Sequence, residues 1–532
     1  MGSPAATRSS SAPARATLVL TALILVETVA NLNLTVANVA LPDIGKAFDA
    51  SQTELNLVAI CYSLGLASSV LYLGAVGDRY GRRMMLLLGV LLSIPACLVA
   101  AYAPSIEVLI AGRLLGGISA GMAYPTTLAL ITALWSGPAR TKSIALWSGI
   151  GGSMNALGPM AAGLLLMSFE WRSVFLITLP LAAIALVLSA KAIPGKVNET
   201  TDPVDHPGGV LSALMVAATV MAINFVMVPG QLEFALIVGG VGLVAGIAFF
   251  IRQKRIRFPL FDLRYAARPT FWVAATAGMI VFGSLMGAMF IGQQFMQNVL
   301  GYSTLAAGCA ILPGAAAMVV TAPRSAKLIE SRGSRFTLLL GYCFCLAGFL
   351  VMLVLFGEGT PYWQVAISFI LIGAGVGFAG TPASRSLTGS VPVGRVGMAS
   401  GTADLQRDLG GAVMQSILGA ILTAGYALDF SNRIAASPEA SSVSTSVQSE
   451  LEKSFSSASL TAERYPQYSD QIIAAAKQSF VHGQALAYTV GVIAIAAGAM
   501  LVWKFFPDHE RELEMLDGFA TEDGNDPEGN PA

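Results

Sequence analysis

The sequence predicts an all-α polytopic membrane protein, and three observations carry that class. Of its 532 residues, 55% are hydrophobic and only 12% charged, about half the charged share of an ordinary soluble domain. The mean hydropathy is +0.68. Apolar runs of about 20 residues, enough to cross a bilayer as a helix, recur along the chain. The turns between them carry positive charge on one side and little on the other.

Fourteen spans follow, near 17–41, 54–74, 84–103, 106–131, 143–167, 173–192, 209–228, 232–251, 270–297, 304–323, 336–356, 362–381, 397–424 and 482–505. One set of turns holds Arg79, Arg82, Arg83, Arg140, Lys142, the cluster from Arg252 to Arg268, Arg324, Lys327, Arg332, Arg335, Arg385 and Arg395. The opposite set holds little beyond Lys46 and Arg172. Cytoplasmic loops collect Lys and Arg, so both termini are expected in the cytoplasm of a multi-pass cell-membrane protein. Residues 1–16 form a Ser/Ala-rich start with Arg8 and Arg15; the apolar run behind them exceeds a signal-peptide core and reads as the first membrane helix. Residues 17–192 make a first bundle. Residues 193–268 hold two further spans and a basic cytoplasmic linker, Arg252–Arg268, able to set topology and to meet anionic headgroups. Residues 269–505 make a second bundle, interrupted at 425–480 by a polar outer loop. Ser446–Phe455 and Ser469–Phe480 fit short amphipathic helices there, the second running into the last span. The tail, 506–532, is acidic and reads as disordered.

Composition also excludes functions. A net charge of zero implies no nucleic-acid partner. The five cysteines all lie inside apolar runs with no metal or disulfide spacing, and read as packing residues. No G-x-x-x-x-G-K-[ST] phosphate loop is present, so ATP-driven pumping is not expected. The three histidines, His206, His482 and His509, lie outside span centres, and no H-E-x-x-H occurs, so neither an enzyme nor a cofactor is expected.

The turn Gly74-Ala-Val-Gly-Asp-Arg-Tyr-Gly-Arg-Arg83 concentrates charge between two apolar runs. Asp78 lies among Arg79, Arg82 and Arg83, and Gly74, Gly77 and Gly81 leave room for close backbone approach. It reads either as a topology-fixing turn or as a hydrogen-bonded latch. Placing Asp78, Gly81 and Arg83 over Glu330, Gly333 and Arg335 uses one constant offset, which suggests two repeated halves. In the first span Glu27, Asn31, Leu34 and Asn38 form one stripe, with Asn33 well around the helix. A carboxylate at mid-span costs about 2.5–3.5 kcal/mol on insertion scales, so it faces a cavity or a partner. Glu27 is either a structural acid held by polar neighbours or a proton carrier, since burial penalises the charged form of a carboxyl. Arg113 in the fourth span stays charged and needs an anionic or carbonyl partner, either Glu27 or a backbone carbonyl or Asn33. Asp404 and Asp408, four apart, share a face of the thirteenth span and suit a cationic ligand, although Arg407 between them is positioned to neutralise one.

These stretches resemble the signatures of the major facilitator superfamily. Gly74–Arg83 matches its G-x-x-x-D-R-x-G-R-R turn. Leu32, Thr35, Asn38, Val39, Ala40, Leu41 and Pro42 match the first-span pattern of its 14-helix drug:proton antiporters, but Asn33 stands where that family has an acid. Leu109–Gly117, around Arg113, resembles the fourth-span motif, with Gly116 for the usual glutamine. Gly149–Gly163 resembles the fifth-span antiporter motif through Gly158, Pro159 and Gly163, with Met154 and Ala162 replacing two glycines. Trp171–Pro180, Phe295–Ser303 with Gln297, and Gly397–Gly401 continue the likeness. The resemblance implies two six-helix bundles around a central cavity, with two additional helices between them. It further implies a monomeric, proton-coupled exporter of amphipathic or cationic drugs, driven by the proton gradient and meeting only small molecules, protons and lipids. Asn33, Asn38, Tyr62, Trp147, Met154, Phe295, Gln297, Asp404 and Asp408 are then expected near the substrate, Glu27 and Arg113 at the coupling step, and Asp78 with its arginines at a gate. Export of an endogenous metabolite, a lipid or one antibiotic remains open, as does uniport, given Asn33.

Overall fold

The computed structural model describes residues 12–13, 15–48, 50, 52–195, 202–226, 231–437 and 444–525, and all regular structure among them is helical. The stretch bearing Arg8, part of the outer loop and the end of the tail lie outside the described residues. The first half comprises α1 (Ala16–Phe48), α2 (Gln52–Tyr80), α3 (Arg82–Ala101), α4 (Ile106–Leu134), α5 (Gly137–Leu166), and the nearly continuous α6 (Ser173–Leu176) and α7 (Thr178–Ala192). A hairpin of α8 (His206–Phe225) and α9 (Leu232–Arg255) leads through α10 (Leu263–Ala266) to the second half. That half comprises α11 (Pro269–Asn298), α12 (Thr304–Ala310), α13 (Leu312–Leu355), α14 (Tyr362–Gly389) and α15 (Val396–Ala436). The outer-loop helices α16 (Thr445–Lys453) and α17 (Phe455–Arg464), then α18 (Ser469–Phe505) and the tail helix α19 (His509–Asn525), complete it.

Twelve helices among the described residues are long and apolar enough to cross a membrane. Two spans read from the sequence are not counted separately among those twelve. One is α5, 30 residues long, or about 45 Å at 1.5 Å per residue. The other lies within 305–355, which runs as one apolar stretch but is broken at Gly333, where φ is 85° and ψ is 168°. Gly81, between α2 and α3, also has positive φ, at 124°. The repeat seen in the sequence thus puts two glycines at equivalent turns, each in a region that side chains with a Cβ avoid.

Each half packs within itself, α2 and α3 on α4 and α1 on α5 in the first, α13 on α14 and α11 and α18 on α15 in the second. The halves meet where α5 lies on α13 and α14 and where α2 and α4 lie on α15. The α8–α9 hairpin sits outside this seam, with α8 against both α2 and α15. Its base is clamped by Asp205, which caps α8 through the Gly208 amide at 3.0 Å and accepts from Arg252 at 2.9 Å and Gln253 at 3.0 Å. Burial pushes the Asp205 carboxyl up, but these hydrogen bonds outweigh it and hold the group below its ordinary value. The linker then touches the second half: Arg395 donates to the Pro259 carbonyl at 2.8 Å and pairs with Asp202 at 3.0 Å.

The tail corrects the sequence reading, because residues 509–525 form a helix docked on the basic end of the second half. Buried Glu512 accepts from the Ser334 amide at 3.0 Å and the Ser334 hydroxyl at 2.6 Å, and lies 3.6 Å from Arg385. Arg268 stacks on Phe519 at 4.0 Å. In the outer loop α16 lies near its expected position and the Ser469 helix does run into the last span, while α17, capped by Ser454, was not foreseen.

Candidate functional site

The charged turn between α2 and α3 is a latch across the seam. Asp78 is buried and accepts from Arg82 Nε at 2.9 Å, within its own half. Its other oxygen accepts from the amide of Gly397 at 2.7 Å, in the first turn of α15, where helix amides lack internal partners. Arg82 crosses the seam as well, donating to the Val393 carbonyl at 2.6 Å, and Arg83 ties α3 to the Ala190 carbonyl at 2.6 Å. Gly74 faces the Gly397 backbone, and a Cβ there would press on the Gly397 carbonyl. Arg79 lines a small cavity beneath the latch with Asp202 and Arg395. The echo expected from Glu330 does not form the same way: Glu330 is exposed, and the carboxylate at the equivalent turn is Glu512, while Arg335 donates to the Trp503 carbonyl.

Arg113 does not meet Glu27. Its guanidinium donates to the Asn33 carbonyl at 2.5 Å, the Val58 carbonyl at 3.2 Å and the Leu34 carbonyl at 3.4 Å, and lies over Tyr62 at 4.7 Å. The carbonyl alternative therefore holds, because three backbone oxygens satisfy the charge without an acid. Asn33 turns the other way, its side chain accepting from Thr178 at 2.9 Å. Tyr62 donates to the Ala30 carbonyl at 3.0 Å. Asn33 and Tyr62 are thus tied into the first half.

Glu27 instead belongs to a cluster on the seam centred on Arg407. The Arg407 guanidinium lies 3.9 Å from Glu27 of α1 and 3.8 Å from Asp404 of its own helix. It donates to the Tyr124 hydroxyl of α4 at 2.5 Å and to Ser384 of α14 at 3.4 Å. Around it stand Trp147 at 4.6 Å, Phe282 at 4.9 Å and Tyr124 at 5.9 Å. Trp147 is fully buried and oriented by a 2.9 Å bond from its indole N–H to Thr127. Both oxygens of Glu27, both of Asp404 and one of Asp408 are buried without a hydrogen-bond donor. Ionised carboxylates in that condition are expensive, so the cluster is chemically suited to taking up protons or a cation.

The fifth-span motif shapes this site. A Cβ at Gly151 would run into the Glu27 carboxylate, and one at Gly158 into the Thr35 hydroxyl, so small residues bring α5 against α1. Gly163 faces Leu305 of the second half, Pro159 lies inside α5, and Met154 is half-buried a turn beyond Gly151. Other expected lining residues fall elsewhere. Phe295 is fully buried and stacks on Phe356 at 4.7 Å, Gln297 is half-buried near the end of α11, and exposed Asn38 lies about 16 Å along α1 from Glu27. Tyr124, Phe282 and Ser384 were missed. Tyr124 was legible: eleven residues after Arg113, about three helical turns, it falls on nearly the same face of α4.

A helical chain in two pseudo-repeated halves, with a latch and buried charges at their seam, is the architecture of a secondary transporter. The chain belongs to the Major Facilitator Superfamily, whose family description matches residues 23–414. It is 30% identical to the multidrug efflux pump LfrA of Mycolicibacterium smegmatis, over 94% of this chain and 98% of that one. It is 28% identical to the methyl viologen resistance protein SmvA of Salmonella typhimurium, over 91% of this chain and 96% of that one. Among solved structures, the proton:xylose symporter XylE shares the fold with a TM-score of 0.59 at 13% identity, covering 92% of this chain and 96% of that one.

Proposed function

We propose that this protein is a proton-driven exporter of lipophilic or cationic compounds, acting as a monomer in the cytoplasmic membrane with its basic side inward. The observation that carries the reading is the seam cluster, in which Glu27 and Asp404 stand 3.9 and 3.8 Å from one guanidinium, Asp408 lies one turn along from Asp404, and five of the three acids' oxygens lack a donor. Fully ionised, the three acids and Arg407 have a net charge of −2, which two protons or a dication can offset, and a monocation can halve. Protons entering from outside and a cation entering from inside therefore compete for the same acids, and such competition makes binding of one ligand weaken the other reciprocally. The names of the relatives, multidrug efflux and methyl viologen resistance, favour this class of cargo. The Asp78–Gly397 latch closes the basic side while cargo leaves; breaking it reopens the cluster to the cytoplasm. Asn33 is occupied by Thr178, so the absence of an acid there does not argue for uniport.

Everted membrane vesicles test the coupling. Substrate movement is expected to follow the pH gradient and to collapse with a protonophore. Glu27→Gln should lose gradient-driven transport by tenfold or more while retaining substrate exchange. Transport indifferent to the gradient, or a fully coupled Glu27→Gln variant, overturns the proposal.

A further inference from the structure

Resting on that reading, we propose that Arg407 is a tethered stand-in for the cargo, so that a planar organic cation is bound by displacing its guanidinium from the seam cluster. Buried Arg82 and Arg113 and half-buried Arg407 allow a comparison. Arg82 holds Asp78 at 2.8 and 2.9 Å, the spacing of strong charge-assisted hydrogen bonds. Arg113 is tied to three carbonyls. Arg407 has the weakest ties to its acids: its carboxylate partners stand 3.8 and 3.9 Å away, outside hydrogen-bond reach, and its Nε has no acceptor. It is held mainly by three rings, one of them the phenol that accepts its hydrogen bond, and by one distant serine.

Those rings are an arrangement that recognises organic cations. Trp147 of α5, Tyr124 of α4 and Phe282 of α11 come from both halves, and aromatic faces attract any delocalised cation placed against them. Guanidinium is planar and weakly hydrated, like amidinium and pyridinium groups, so the cage that accepts one accepts the others. About a turn along α11 from Phe282, a small apolar cavity is lined by Leu285, Met289, Met318 and Phe369 of the second half, with Gly152 of α5 closing it from the first half. Its two methionines are adaptable enough to receive the apolar body of varied ligands. The cargo class is therefore a flat cationic head on an apolar body, with the three acids able to accept a second positive charge. Arg407 lies ten residues, about 15 Å, along α15 from Gly397, so swinging it out of the cage acts on the helix that carries the latch.

The experiment is equilibrium binding of ethidium, a planar aromatic cation, to the purified full-length protein in nanodiscs at one fixed pH. With no gradient present, the result does not depend on proton coupling and stands or falls separately from the export reading. Arg407→Ala is expected to bind ethidium roughly tenfold more tightly, because no tethered cation competes for the rings. Free guanidinium ion should then compete with ethidium in Arg407→Ala and leave the wild type unaffected. Arg407→Lys keeps the charge and serves if the alanine variant does not fold. Its ammonium fits the rings less well, and threefold or greater tightening is expected. Unchanged or weaker ethidium binding in a folded variant overturns the proposal, as does lack of competition by guanidinium or failure of every form to bind ethidium.

Discussion

Replacing Asp78 by Asn tests the latch quantitatively. The Arg82–Asp78 bond lies within one half and survives a relative motion of the halves, so it does not bias the transport equilibrium. At the latch two bonds cross the seam: the Gly397 amide to Asp78 and Arg82 to the Val393 carbonyl. An Asn side chain has one acceptor oxygen where the carboxylate has two. If that oxygen serves Arg82, an amide group faces the Gly397 N–H and the cross-seam bond is lost. A hydrogen bond to a charged group is worth about 1.5–3 kcal/mol. At 1.4 kcal/mol per factor of ten, the state closed on the basic side should lose roughly 10- to 150-fold in population relative to the open state. Spin labels at exposed Tyr80 and Glu330, on the basic ends of opposite halves, read this directly by pulsed electron resonance. Asp78→Asn should move weight to the longer distance, and Gly397→Ala, whose Cβ would strike Asp78, should do the same. An unchanged distance distribution in a folded Asp78→Asn protein refutes the reasoning.

Further outcomes are expected elsewhere. Gly151→Ala should cut transport at least tenfold while Gly240→Ala, which has open space for the added methyl, changes little; equal effects would show that Glu27 does not need the room. Glu512→Ala removes two hydrogen bonds from Ser334 and should destabilise the protein by about 1–3 kcal/mol, with faster proteolysis of the tail as the readout. Asp205→Asn should cost about 1 kcal/mol at neutral pH, a small figure because Arg252 is 36% exposed. The folded carboxyl lies below its unfolded value, so that contribution is complete above about pH 4 and disappears as pH falls through the lower folded value. Denaturation of wild type and variant should therefore converge in acid.

The parts legible in the sequence are those set locally. Span length and loop charge are properties of consecutive residues, and they placed the helices and the latch turn. Gly333 was legible as a repeat of Gly81 because both answer one backbone requirement. What failed depended on rotation and packing between helices. Arg113 and Glu27 were both recognised as needing partners, but their partners lie on different faces, and among the described residues it is α15 that brings a guanidinium to Glu27. Phe295 and Tyr62 have the composition of a drug pocket, yet the same rings serve equally as packing: Phe295 stacks on Phe356 and Tyr62 is hydrogen-bonded to the Ala30 carbonyl. The tail misled because its acidic composition argues against helix packing in general, whereas Glu512, Leu516 and Phe519 dock on one specific surface.

The seam cluster also constrains how the protein is made. Glu27 enters the membrane with the first span, but Arg407 is 380 residues away along the chain. At 5–20 residues per second of synthesis, about 20–75 s pass before that partner exists. During this interval a mid-span acid, with an insertion cost of about 3 kcal/mol, rests against lipid or the insertion machinery. The residue proposed to couple the finished transporter is thus a liability to the nascent one, and the thirteenth span brings its partner.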